Sequence, residues 1–229
     1  MWVQSEECPN PSQCHGNSPF KWSLSATYQQ TVLTQKIEYG IGKVVGHVVT
    51  DQVAWVPEPL PTQVSDDVRF LLIYEAEDLN TLKQDGLVGL APGSVNEGQK
   101  TLLESMYEQG QLRDHIFSLY LGLSGDQSKI FLGGHDRDII RKMVSRHHPE
   151  KDVAGMTDED IDAEIRWLPL VDPNYWMSEF DGASINGEEW PISVNYFIVD
   201  SGSSINHIPT KEYNILLNLI TRDHKCRTI

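Results

Sequence analysis

A chain of 229 residues with a formal net charge of −15 has no basic face to offer, which argues against a nucleic-acid partner. No run approaches the roughly 18 apolar residues of a membrane-spanning helix, while a hydrophobic content of 39% is enough for a real core. The acidic balance suits a protein that works in acid, where partial protonation of surface carboxylates relieves their repulsion; plain solubility charge accounts for it equally well.

The chain opens on Met1-Trp2-Val3, with neither the basic start nor the apolar stretch of a secretory signal. Cys8 and Cys14 follow with five residues between them, two of them proline, a tight loop that a disulfide could close. The spacing excludes a CxxC metal knuckle. Cys226 is left over, and its expected partner lies elsewhere, beyond the C-terminus. A disulfide-style loop without a secretory signal is inconsistent in redox terms, so the true N-terminus is expected upstream of Met1. Residues 1–35 are polar and turn-rich and end in the strand-like Thr31-Val32-Leu33. Apolar residues at 37, 39 and 41, then at 44, 45, 48 and 49, predict a hairpin tipped by Gly40-Ile41-Gly42. Such a hairpin, with Tyr39 at its shoulder, can act as a mobile cover or simply pack its tyrosine on the core.

Residues 64–74 read as a buried strand and residues 85–91 as a compact apolar strand with glycines where another backbone comes near. Residues 102–110 have helical spacing with a glycine stop, and strands follow at 116–121 and 129–132, the second closed by Gly133-Gly134. Residues 139–165 differ: basic residues and His147-His148 come first, then Asp152, Asp158, Glu159, Asp160, Asp162 and Glu164. This predicts an exposed, partly helical insertion, with Thr157 as N-cap and Asp160 three residues on. Adjacent histidines do not converge on a helix, so His147 and His148 are read as surface residues and no metal site is expected. Strands are expected again at 167–170, 175–180 and 183–185, and a helix around 213–220 after Pro209. Glycine-punctuated strands over some 200 residues predict an all-β protein with a few short helices.

The most chemical stretch is Ile198-Val199-Asp200-Ser201-Gly202-Ser203-Ser204. An apolar run carries an aspartate into a Ser-Gly-Ser-Ser turn, as if to hold a carboxylate at the end of a buried strand. Glycine lets backbone approach, and flanking hydroxyls and N–H groups can bond the charged oxygens and tune the proton. By itself the stretch reads equally well as a strand-to-turn corner capped by Asp.

Taken in order, these segments resemble the pepsin-like aspartic proteases, peptidase family A1. Trp2-Val3 with the Cys8/Cys14 loop looks like the segment after that family's first catalytic turn, and Tyr39-Gly40-Ile41-Gly42 resembles its flap. Asp85-Gly86-Leu87-Val88-Gly89-Leu90 is similar to the DGILGL strand, Phe117-Ser118-Leu119-Tyr120-Leu121 to the FSxYL strand, and Gly133-Gly134-His135-Asp136 to the GGxD turn. Tyr175-Trp176 looks like the YW strand, and Val199-Asp200-Ser201-Gly202-Ser203-Ser204 like the second catalytic motif.

The resemblance implies a bilobal all-β acid-protease fold with a peptide cleft between the lobes and one aspartate from each. It implies Asp200 as a catalytic residue; Tyr39, Gly40 and Ile41 as flap; Gly202, Ser203 and Leu87 as substrate-binding; and Trp2 as support for the flap tyrosine. No metal and no cofactor is implied. Residues 1–135 would form the first lobe, with the flap hairpin near 36–53, then an acidic, partly helical link over 136–166 and the start of a truncated second lobe over 167–229. The departures are specific. The chain contains one Asp-Ser/Thr-Gly turn where the family has two, because Asp85-Gly86 and Asp181-Gly182 lack the intervening hydroxyl residue. Lys83-Gln84 stand where apolar pocket residues are common, and the 139–165 stretch is longer than the usual link. The expectation is a fragment of an aspartic endopeptidase, inactive as it stands, monomeric, with peptide substrates and no nucleic-acid partner, secreted or in the lumen of an acidic organelle such as a lysosome or vacuole. The alternative is a non-catalytic pepsin-like peptide-binding protein.

Overall fold

The computed structural model describes residues 1–8, 14, 18–40, 42–55, 64–79, 84–92, 100–122, 127–185 and 187–222. The tip residue Ile41, together with Lys83 and Cys226, lies outside the described residues. The polypeptide is mostly strand with a few short helices and divides into two compact units, the first Met1–Leu90 with Asn96–Ile165 and the second Ala91–Val95 with Arg166–Ile229.

In the first unit the strand patterns decide which strands are central. β4 (Val64–Glu77) buries Val68 and the unbroken run from Phe70 to Ile73, the signature of a strand covered on both faces. β3 (Gly42–Ala54) likewise buries Val44, Val48 and Val49. β2 (Gln29–Tyr39) is rich in Gln, Thr and charge, and it takes an edge of the sheet. With β1 (Trp2–Gln4) and β5 (Gly86–Leu87) the order is β2-β3-β4-β1-β5. β1 runs parallel to β4, placing Trp2 opposite Leu71, and antiparallel to β5, placing Trp2 opposite Leu87.

One face of this sheet carries Trp2, Val44, Val48, Leu71, Ile73, Ala76 and Leu79, and another cluster joins Val49, Phe70 and Leu72. A third cluster sets Val68 against Leu102, Leu103 and Met106 of α1 (Leu102–Glu108). Thr101 and Glu104 close a capping box at the start of α1, and Gly110, at φ +71°, ends the segment as the glycine stop predicts. β6 (Phe117–Tyr120) and β7 (Lys129–Leu132) form an antiparallel pair. The charged stretch that follows contains α2 (Arg137–His147) and the short α3 (Asp158–Asp162), the latter opened by the Thr157/Asp160 capping box and anchored by the fully buried Ile161.

The second unit pairs β8 (Met177–Glu179) with β11 (Tyr196–Ile198) and β9 (Ala183–Ile185) with β10 (Glu188–Trp190). α4 (Thr210–Thr221) follows, its buried Glu212 accepting from the backbone N–H and hydroxyl of Ser193.

Several expected strands differ. Residues 167–170 form no strand: Pro169 cannot donate to a ladder, its carbonyl instead accepts the Ser178 hydroxyl at 2.9 Å, and Trp167 is 73% exposed. The predicted 85–91 strand contracts to Gly86–Leu87, because β1 supplies only a three-residue partner. β2 begins at Gln29, earlier than the pattern suggests, since its register slips between Gln30 and Thr34 and leaves Val32 fully exposed. Among the described residues, no helix is long and apolar enough to cross a membrane.

Candidate active site

The hairpin of β2 and β3 runs in register from Lys36 opposite Val45 to Tyr39 opposite Gly42. Alternation sends Ile37 and Tyr39 to the face that carries the main cluster, where Trp2 and Leu87 also pack. There the buried Trp2 indole donates its Nε1–H to the Tyr39 hydroxyl at 2.8 Å. Burial raises the Tyr39 phenol above its ordinary pKa, and the indole hydrogen bond opposes that shift in part, so the hydroxyl stays protonated in acid and at neutrality. The structure therefore brings Trp2, Tyr39 and Leu87 together in the first unit. The two described glycines at the hairpin tip are not equivalent. A Cβ at Gly42 would lie 2.3 Å from the Glu77 carbonyl oxygen, whereas one at Gly40 would meet nothing within 4 Å.

Trp2 is fixed in turn by its neighbours. Gln4 N–H donates to the Asp85 carbonyl at 2.9 Å, and the Asp85 side chain accepts from Ser18 N–H at 2.9 Å. Asp85 thus ties the start of β5 to the loop after Cys14, a positioning role that local sequence did not reveal. An aspartate immediately before an apolar Gly-Leu strand was the available signal. The Cys8–Cys14 disulfide closes the loop anticipated from its spacing, with the two Cα atoms 6.4 Å apart. Gln4 Nε2 donates to the Cys14 carbonyl at 3.0 Å, which fastens the loop to β1.

The Asp200 turn lies in the second unit. β11 leads into it, and Val199 N–H donates to the Trp176 carbonyl at 3.0 Å. Gly202 N–H donates to Asp200 Oδ1 at 2.8 Å, and Ser203 N–H donates to the Asp200 carbonyl at 3.3 Å. A Cβ on Gly202 would come within 3.1 Å of that same Oδ1, so glycine here lets the amide reach the carboxylate. The Ser203 hydroxyl does not bond the carboxylate as anticipated; it donates to the Ile205 carbonyl at 2.9 Å. Nor is the strand buried. Ile198 and Val199 are 52% and 63% exposed, because among the described residues β11 has only β8 beside it. Asp200, Gly202 and Ser203 do stand together in one turn whose backbone orients the carboxylate.

Among the described residues, no group of three His, Cys, Asp or Glu side chains is placed to hold a metal ion. The chain is strand-rich, and its Asp200-Ser201-Gly202 turn holds a hydrogen-bonded carboxylate. A sequence model of the eukaryotic aspartyl proteases matches residues 1–227, and the chain belongs to that family. Among its relatives, pepsin A of Suncus murinus is 27% identical over 212 residues, covering 90% of this chain and 47% of its own length. The pregnancy-associated glycoprotein of Equus caballus is 26% identical over 209 residues, with coverage of 90% and 47%. Gastricsin of Cavia porcellus is 25% identical over 225 residues, with coverage of 96% and 51%. The chain thus spans about half the length of the curated relatives it matches.

Proposed function

We propose that this chain is part of an aspartic endopeptidase in which Asp200 is one of two carboxylates that share a proton. The observation that carries the proposal is the Asp200-Ser201-Gly202 turn, whose Gly202 N–H already fixes one carboxylate oxygen. Two carboxylates held close cannot both ionise. The ionised member takes a proton from water, which attacks the peptide carbonyl, while the protonated member donates to the carbonyl oxygen. Gly202, Ser203 and Leu87 would contact the peptide, and Tyr39, with Gly40 and Ile41, would cover it, oriented by the indole of Trp2. In this reading residues 1–135 are most of one lobe, 136–166 a link and 167–229 the beginning of the other. The second Asp-Ser/Thr-Gly turn belongs to polypeptide outside the 229 residues. The substrate is a peptide or protein, the enzyme is a monomer, and its setting is secreted or luminal and acidic.

The test is to extend the reading frame along its transcript in both directions and assay peptide hydrolysis in acid. Hydrolysis by the extended protein, lost about a thousandfold or more in Asp200→Asn, supports the proposal. The 229-residue polypeptide alone is expected to cleave nothing, since one carboxylate cannot act as both acid and base. A stop codon ahead of any second Asp-Ser/Thr-Gly turn defeats the proposal. The alternative reading is a non-catalytic peptide-binding relative that keeps the flap hairpin. Tight binding of a peptide transition-state analogue without cleavage would establish that reading instead.

A further inference from the structure

The charged stretch between β7 and the second unit plays no part in the proposed catalysis, yet it carries a continuous run of ion pairs. Asp162, the last residue of α3, receives the Arg137 guanidinium as a fork, Nε to Oδ1 at 2.8 Å and Nη2 to Oδ2 at 2.6 Å. The His135 ring nitrogen Nε2 lies 2.8 Å from the same Oδ1. Arg137 also reaches Asp158 at 3.2 Å, and Asp158 is held by Arg141 at 3.0 Å, which in turn pairs with Asp138 at 2.9 Å. One carboxylate therefore joins the exit of β7, the first turn of α2 and the end of α3.

We propose that Asp162 is the hub of an acid-persistent clamp, which keeps α3 seated against the start of α2 under conditions where ordinary surface carboxylates have lost their charge. The geometry is of the kind that outlasts an ordinary surface pair. The contact is bidentate, it is charge-assisted on both oxygens, and His135 is largely enclosed. The groups facing Asp162 are His135 from the β7 exit and Arg137 from α2, while Asp158 and Glu159 on its own helix act on Arg137. Arg137 first and His135 second hold the Asp162 carboxyl far below the usual carboxylate range, and the Arg137 guanidinium is pushed correspondingly upward. A depressed carboxylate contributes stability that is complete above its unfolded pKa, about 3.9, declines progressively below it, and is gone only once pH has fallen through the depressed value. Between those two limits typical exposed carboxylates neutralise while Asp162 stays charged. Beneath the clamp sits Ile161, fully buried, so release of Asp162 would expose the one apolar anchor of α3.

Amide hydrogen exchange on the 229-residue chain tests this without any catalytic readout, so its outcome is independent of the endopeptidase proposal. The reporters are the N–H groups of Ile161, Ala163 and Glu164, which donate within α3 and its last turn. Their protection factors are expected to fall by no more than about tenfold from pH 7 to pH 3 in the wild-type chain, and to lie at least about tenfold below the wild type in Asp162→Asn at both values. Arg137→Lys, which keeps the charge but loses the fork, is expected to lose protection at pH 7 and to differ less from the wild type at pH 3, where part of the carboxylate's contribution has already gone. Amides of β3 and β4 serve as the check that each variant is folded. Wild-type protection that collapses by pH 3 overturns the proposal, as does unchanged protection in a folded Asp162→Asn chain. The wild-type pH series decides even if both variants fail to fold.

Discussion

The Trp2 indole lies in the core of the sheet, yet its N–H finds a single acceptor there, the Tyr39 hydroxyl. Removing either end should cost about 1 kcal/mol for the hydrogen bond alone. Trp2→Phe is expected to lose more than Tyr39→Phe because it also removes packed surface. The double variant should lose less than the sum of the two, a coupling read from urea denaturation midpoints. The glycines of the same hairpin give a sharper contrast. A methyl group at Gly46 would sit 2.4 Å from the Leu72 carbonyl oxygen, so Gly46→Ala should cost about 1–3 kcal/mol, whereas Gly40→Ala should stay within about 0.5 kcal/mol. Sequence spacing marked Gly40 and Gly42 because they flank the hairpin tip. It did not single out Gly46, whose constraint comes from the pairing of β3 with β4 some 26 residues further on in Leu72 and Ile73. The Asp200 turn was legible for the opposite reason, since its hydrogen bond spans two residues and is written locally.

Helix α1 was readable from its spacing and its glycine stop, both of them local signals; its Thr101 N-cap emerged only in the structure. Its importance lies in Met106, which is 1% exposed and packs with Leu102, Leu103, Leu112 and Val68. Met106→Ala should cost about 2–5 kcal/mol and Thr101→Ala about 1 kcal/mol, measured as shifts in thermal or urea unfolding. The same logic explains what the charged 139–165 stretch disclosed and withheld. Thr157 and Asp160 announced a helix start three residues apart, and that capping box forms. The fork between Arg137 and Asp162 spans 25 residues, and nothing in the spacing of charges distinguished it from the many solvated carboxylates nearby. At 167–170 the apolar residues read as a strand, but a strand also needs a neighbour, and apolarity does not supply one.

Acid should loosen the second unit through Glu212. Its carboxylate, buried among Ser193 donors, is held below the ordinary range chiefly by the Ser193 hydroxyl. A depressed carboxylate stabilises the folded form above its unfolded pKa, about 4.3, and that contribution vanishes as pH falls through the lowered value. The unfolding midpoint of the wild-type chain should therefore drop more steeply than that of Glu212→Gln on acidification below about pH 4. Parallel slopes would show that Glu212 carries no such linkage. In the first unit, the seating of β1 has a consequence in time. Trp2 to Gln4 lie between β4 and β5, paired with strands whose residues lie 69 to 85 positions later in the chain. Such distant pairing closes slowly compared with the β3–β4 hairpin, which needs only a short connection. β1 must wait, unpaired, for a slot that later sequence builds, and in refolding the β1 amides should be the last of the sheet to gain protection.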